Sequence, residues 1–148
     1  MYDWFECKVR YEKSQEDNHI AKVQETYLVD AMSFTEAESR IVLEMKVRSR
    51  GELEVTDIKK LKVAELIELR PGEDDRWYKS KLVFTIVDEK TGKEKHASNT
   101  VIVRAASLKK AIQSIEEGMR GTVDYTIASV IETAIVDVFH YAEIRKKE

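Results

Sequence analysis

One cysteine, one proline and five glycines are spread over 148 residues, and no apolar stretch approaches membrane length. A single thiol, Cys7, cannot close an internal disulfide, so the fold must be held by its core. So little glycine and proline excludes collagen-like and low-complexity chains. Gly51, Gly72, Gly92, Gly118 and Gly121 are scattered, which leaves no glycine-rich loop to cradle a phosphate. The longest apolar-rich run, around "TAIVDVF", is far shorter than the roughly 20 residues that cross a bilayer. The opening segment MYDWFECK lacks the basic and apolar character of a signal sequence, so a cytoplasmic chain with no membrane partner is expected. His19, His96 and His140 lack the close spacing typical of metal sites, and no cofactor is expected. The 25 basic and 28 acidic residues are thoroughly mixed, giving a formal charge of −3 and no global field to attract polyanions.

What the chain has in quantity is apolar residues, 43%, and charge, 36%, the balance of a folded protein with a very charged surface. It also says the same thing twice. "WFECKVRY", which begins at Trp4, and "WYKSKLVF", which begins at Trp77, align Phe5 with Tyr78, Cys7 with Ser80, Val9 with Leu82 and Tyr11 with Phe84. These alternate residues share one face of a strand, with Glu6, Lys8, Lys79 and Lys81 on the other. The polar stretches "EKSQEDN" and "DEKTGKEK" predict hairpin turns, the second through Thr91-Gly92. "VQETYLVDA" and "ASNTVIVRA" follow as second strands and align Tyr27 with Val101, Leu28 with Ile102 and Val29 with Val103.

"SFTEAESRIVLEM" and "SLKKAIQSIEEGM" keep the displacement of the second strands and read as helices. Ser33 and Ser107 are the N-cap candidates, and Ser33 with Glu36 has capping-box spacing. Phe34, Ala37, Ile41 and Met45 are expected on one buried face, as are Leu108, Ala111, Ile112, Ile115 and Met119. A long strand closes each half: "ELEVTDIKKLKVAELI" and "VDYTIASVIETAIVDVF". The displacement that aligns Gly51 with Gly121 is shorter than the one that aligns Ile67 with Phe139, as an insertion or a bulge would produce.

The expectation is one α+β domain, residues 1–148, built by tandem duplication of a β-β-α-β unit. The repeats are 2–68 and 75–140, joined by a connector at 69–74 and followed by a short tail at 141–148. Either one six-stranded or two three-stranded antiparallel-rich sheets fit, with both helices on one side and pseudo-twofold symmetry. Leu28, Ile102, Val130, Ala134, Val136 and Val138 are expected on the face away from the helices, where their apolar character calls for cover.

The strings "WFECKVRYEK", "YLVDAMSFTEAE", "VTDIKKLKVAEL", "DEKTGKEK" and "DYTIASVIETAIVDVF" resemble an uncharacterised family of short bacterial proteins, mainly from Bacteroidetes and their phages, catalogued as a domain of unknown function. The resemblance spans nearly the whole chain. It implies a bacterial, cytosolic protein of a phage or mobile element, and supplies no activity or catalytic residues.

Candidate chemistry is sparse. Cys7 matches Ser80 in a core position and reads as packing, not as a nucleophile. Glu25, Glu132 and Asp137 interrupt strands and are the carboxylates that acid and base work would use, although wetted or lysine-paired acids explain them more simply. Lys8, Arg10, Lys22, Lys79 and Lys81 on outward strand positions, with Trp4 and Trp77 for stacking, form a candidate single-strand nucleic-acid face. Lys59, Lys60 and Lys62 add to it on the third strand. Glu6 on the same face and the negative charge make a solvated face the simpler reading, and core capping the simpler role of the tryptophans. A non-enzymatic binding or assembly module is therefore expected, with self-association as a homodimer or another protein as partner. A nucleic-acid binder comes second and an enzyme third.

Overall fold

The computed structural model describes residues 2–14, 16–17, 19–72, 75–122 and 124–141. Residues 73 and 74 of the expected connector and 142–148 of the expected tail lie outside the described residues. In chain order the elements are β1 (Asp3–Ser14), β2 (Ile20–Ala31), α1 (Phe34–Met45), β3 (Arg50–Leu61), β4 (Glu65–Ile67), β5 (Arg76–Val87), β6 (Glu94–Ala105), α2 (Leu108–Gly118), β7 (Tyr125–Glu132) and β8 (Ile135–Phe139). The fold is α+β with two mixed four-stranded sheets, ordered β3-β1-β2-β8 and β4-β6-β5-β7. The chain forms two compact units, one of residues 1–62 with 134–148 and the other of residues 63–133.

Neither expected sheet arrangement is found, because each closing segment breaks in two. β4, which follows β3 in the chain, runs parallel to β6, and β8, which follows β7, runs parallel to β2. The breaks are made by hydrogen bonds. Ala64 N donates to Thr100 O at 2.8 Å, starting the β4 ladder. Thr133 donates to Trp77 O from both its amide (2.9 Å) and its hydroxyl (2.8 Å), ending β7. A short parallel strand thereby covers the inner half of each long hairpin's open edge.

Each hairpin pairs its two strands along their whole length, without interruption. The expected turn at Thr91-Gly92 is present, with Gly92 at φ +70° and Asp88 N donating to Lys93 O at 2.9 Å. β1 against β3 skips Thr56 after the pair Lys8/Asp57, and β5 against β7 skips Ala128 after Lys81/Ser129. The same bulge thus falls at matching positions in both units. β3 has a second irregularity, between its partners to Arg10 and Glu12, while the displacement stays constant from Glu54 and Thr126 to Lys60 and Glu132, so its change falls before that stretch.

Phe5, Cys7, Val9, Tyr11, Tyr27 and Val29 form one buried cluster with Ala37, Ile41 and Met45 of α1. Tyr78, Leu82, Val101 and Val103 form the other with Ala111 and Ile115 of α2. The expected inward strand faces are therefore the buried ones. Both helices start at the expected caps: Ser33 Oγ accepts from Glu36 N at 3.1 Å and Ser107 Oγ from Lys110 N at 3.2 Å. Glu36 reaches back to Met32 N, one residue before the cap, rather than to Ser33. Phe34 and Leu108, expected inside, are about half exposed (52% and 49%), although the Phe34 ring packs edge-on against buried Phe5 at 4.9 Å. Val130, expected away from the helix, packs on the α2 side, since it lies opposite buried Ser80 in the register. Leu28 and Ile102 are fully buried outside the helix-side clusters, whereas Ala134 and Val136 are exposed. Among the described residues no helix is long and apolar enough to cross a membrane.

Cys7 and Ser80 occupy the same niche, both with no exposed surface. Ser80 satisfies its hydroxyl by donating to Ser129 O at 2.9 Å. Burial, aided by Glu6 and Asp57, pushes the Cys7 thiol up to about 12.

Ile41→Ala and Ile115→Ala are each expected to cost about 2–5 kcal/mol, since both side chains are fully buried. Leu108→Ala, at a half-exposed position, is expected to cost less than about 1 kcal/mol. Urea denaturation measures all three, and equal losses would contradict the core assignment. Cys7 stays protonated in the folded chain while an unfolded thiol ionises near pH 8.5, so its contribution to stability is complete below that pH and is lost as pH rises toward 12. Native Cys7 should therefore resist iodoacetamide at pH 8 and react promptly once unfolded. Cys7→Ala should flatten the alkaline stability loss between pH 9 and 11 by up to about 1.4 kcal/mol per pH unit.

Candidate functional site

The expected cationic face separates into two unlike halves. On the first sheet Trp4, Lys8, Arg10 and Lys22 share the face away from α1, but nearly every cation there lies opposite an acid. Lys8 pairs across the ladder with Asp57, Arg10 with Glu54, Lys22 with Glu12 and Lys59 with Glu6. Arg10 closes to 3.9 Å of Glu54. Cross-strand opposite charges neutralise one another locally, which leaves little field for a phosphate backbone. On the second sheet Lys79 faces Ile102 and Ile131, and Lys81 faces Thr100 and Ser129, so these two lysines lack opposing acids. Trp77 is 3% exposed beneath the Arg104 guanidinium, 5.6 Å from its ring. Trp4 is half-buried and packs on His140 at a centroid distance of 5.0 Å.

The strand carboxylates are engaged in different places. Glu25 accepts from Tyr27 Oη at 3.1 Å, from Lys13 Nζ at 3.4 Å and from Tyr11 Oη. Burial, reinforced by this carboxylate, raises the Tyr11 phenol above its ordinary range. Glu132 is held by Arg76 at 2.9 Å and Asp137 by Arg48 at 3.3 Å. His19 lies by Asp17, His96 by Thr85 and His140 by Asp30. Among the described residues no group of three His, Cys, Asp or Glu side chains is placed to hold a metal ion.

The arrangement with most chemical content lies where the second hairpin strand of each unit meets its helix. Asp30 is the ladder partner of Trp4, and Arg104 is the ladder partner of Trp77. Glu36 and Lys110 are the third residues after the capping serines, and Arg40 and Ser114 the seventh. These are the same three stations with different side chains.

In the first unit Arg40 is buried between two acids. Its Nη2 lies 2.8 Å from Glu36 Oε1, a charge contact outside hydrogen-bond geometry. Its Nη1 donates to Asp30 O and lies 3.6 Å from Asp30 Oδ1. The guanidinium stacks 4.6 Å from the Tyr141 ring and 5.4 Å from Tyr2. Asp30 also accepts from Tyr141 N at 2.7 Å. A buried cation with charge partners and aromatic faces is well compensated, and it fills its space.

In the second unit the equivalent space is open. Arg104, Lys110, Gln113 and Ser114, with Arg70, Asp75 and Ala105, line a cavity of about 310 Å³. Arg104 Nε donates to Asp75 Oδ2 at 3.1 Å, its Nη2 to Gly72 O at 3.0 Å, and its Nη1 lies 3.5 Å from Glu68. Asp75 also accepts from Gly72 N. Arg70 grips Glu117 with two bonds of 2.8 and 2.9 Å, which holds that carboxyl below its usual range. Lys110 has no ion pair among the described residues. The volume sits at the lower end for small-molecule sites.

Sequence reasoning missed this pocket. The clue was available in the aligned helices, where Glu36 and Arg40 of one stand as Lys110 and Ser114 in the other.

No curated protein matches the chain. Residues 3–141 match the family model described as Domain of unknown function (DUF4494), so the chain belongs to that family.

Proposed function

We propose that this chain is a non-enzymatic binding module, made by doubling one unit, in which the second unit takes up a small ligand at the Arg104 pocket. The observation that carries this reading is the contrast between equivalent stations, one plugged by the chain's own Arg40 and the other open. The pocket's polar groups suit holding rather than turnover. Asp75, the one acid in the lining among the described residues, is engaged by Gly72 N and Arg104 Nε, and a base already so occupied is poorly placed to take a substrate proton. The bacterial and phage setting, and a place in the cytoplasm, are carried by the sequence resemblance.

A second reading, assembly with another copy, rests on the outer half of β6. Residues 94–99 are all exposed and lie beyond the reach of β4, which begins its ladder at Val101. Because Thr100 O points to Ala64, the alternate residues Ser98 and His96 present their backbone groups to the same open edge. An unpaired edge of this kind is a template for an added strand.

Amide chemical shifts recorded while titrating a panel of small carboxylates, phosphates, amines and sugars test the pocket. Perturbations should gather on residues 104–114 and vanish in Ser114→Met, which fills the cavity. Shifts that stay unchanged in that variant would remove the reading. Assembly is read by light scattering over a range of concentrations. Ser98→Pro deletes an outward N–H without touching the β5 ladder, so it should abolish any dimer while leaving the melting temperature within a few degrees. A dimer that persists would place the contact elsewhere.

A further inference from the structure

We infer that the ligand of the Arg104 pocket is a small monocarboxylate, whose –COO⁻ group takes the place that the Arg40 guanidinium fills in the first unit. The inference deepens the binding reading above and depends on it. Its ground is a charge inversion at the three matched stations. In the first unit a cation lies between two acids: Asp30 on the strand, Glu36 on the first helical turn, and Arg40 between them from the second turn. In the second unit the strand residue is Arg104 and the first-turn residue is Lys110, both basic, while the residue that would reach between them is Ser114, too short to do so. The flanks have changed sign and the centre has been emptied. The group complementary to two cations across such a gap is an anion.

Geometry and charge narrow the class. Arg40 presents a planar fork to its neighbours, and a carboxylate is the planar anion of matching width and opposite sign. Arg104 faces Asp75 at 3.1 Å and Glu68 at 3.5 Å, and Arg70 is held by Glu117, so much of the guanidinium charge is already answered. Lys110 supplies the remaining cation, with the Ser114 hydroxyl and Gln113 amide as neutral donors beside it. One unanswered charge suits a monoanion better than a dianionic phosphate. The cavity, about 310 Å³, leaves room for a short apolar or polar body attached to the carboxylate, resting on Ala105 and Ala106.

The test uses the full chain with three substitutions at one position. S114E supplies a built-in carboxylate, S114Q its neutral isostere and S114K a third cation. In low salt the melting temperatures should fall in the order S114E, S114Q, S114K, with S114E above wild type. Acetate, propionate, inorganic phosphate and methylammonium are then titrated by NMR. The two carboxylates should shift the amides of residues 104–114 at millimolar concentration, at least tenfold more tightly than phosphate, and S114E should weaken them at least tenfold. An i,i+4 pair with Lys110 alone could steady the helix in S114E, but it would not remove a ligand response. If S114K equals or exceeds S114E in stability, the charge inversion is irrelevant and the inference fails. Tighter binding of phosphate or methylammonium at the same amides would overturn the ligand class and leave the pocket reading standing. No localised shift with any of the four probes would overturn the inference, and silence from the sugars of the wider panel as well would overturn both.

Discussion

The structure depends on a reciprocal exchange of edge strands. Three antiparallel strands and one helix make up the body of each half of the chain, scant material for an independent core. The chain resolves this by giving the end of each closing segment to the other sheet: β4 lies beside β6, and β8 beside β2. Each exchanged strand covers the inner half of a long hairpin edge and adds apolar mass beside the helix. Ile67 packs into the α2 cluster, and Phe139 stacks on Tyr27 at 5.5 Å in the α1 cluster. Because both sheets draw strands from both halves of the sequence, neither half holds a complete sheet, and deleting either half would strip a strand from the sheet that remained.

That common skeleton leaves the polar interior free to diverge. The first unit commits its polar residues to internal closure. Glu25 ties two tyrosines together, Arg48 lies over Tyr27 and Phe139, and Arg40 is locked between acids and aromatic rings. At the matching positions the second unit carries Phe84, Asn99 and Val101 in place of Tyr11, Glu25 and Tyr27, a simpler and more apolar core. Its charges gather instead around Arg104, at the surface end of the helix. One unit is self-contained, and the other keeps its polar groups where solvent and solutes can reach them.

Much of this could be read from the sequence, and what could not has definite physical causes. Strand faces, helix caps and hairpins were readable because they are local: period two from Phe5 to Tyr11, serines at Ser33 and Ser107, Gly92 in its turn. The changing displacement between the two closing segments was readable as a discrepancy, and the registers place it before Glu54 and Thr126. The strand exchange was hidden because the breaks at Lys62–Ala64 and Thr133–Ala134 contain neither glycine nor proline. They are made by hydrogen bonds to Thr100 and Trp77, which are distant in sequence. The candidate nucleic-acid face was drawn from same-strand spacing, and the acids that answer its first-sheet cations stand on neighbouring strands, visible only once the ladder is known.

The pocket was hidden for a different reason. A pattern reader looks for residues that recur, and recurrence in this chain reports the core. On the binding reading proposed above, the chemistry lies where recurrence fails, at Asp30 against Arg104, Glu36 against Lys110 and Arg40 against Ser114. On the duplication proposed above, these three differences fall at one place in each unit, around the Arg40 guanidinium in the first and along the lining of one cavity in the second, and their charges change in concert. A neutral exchange of a single acid for a base beside a buried arginine would leave like charges in contact, at a cost of the order of 3–5 kcal/mol for an uncompensated buried ion. A central arginine therefore goes with acidic flanks, and basic flanks go with a centre that carries no cation. The space at Ser114 is bounded by Arg104 and Lys110, and on the binding reading proposed above it is an anion that fits there.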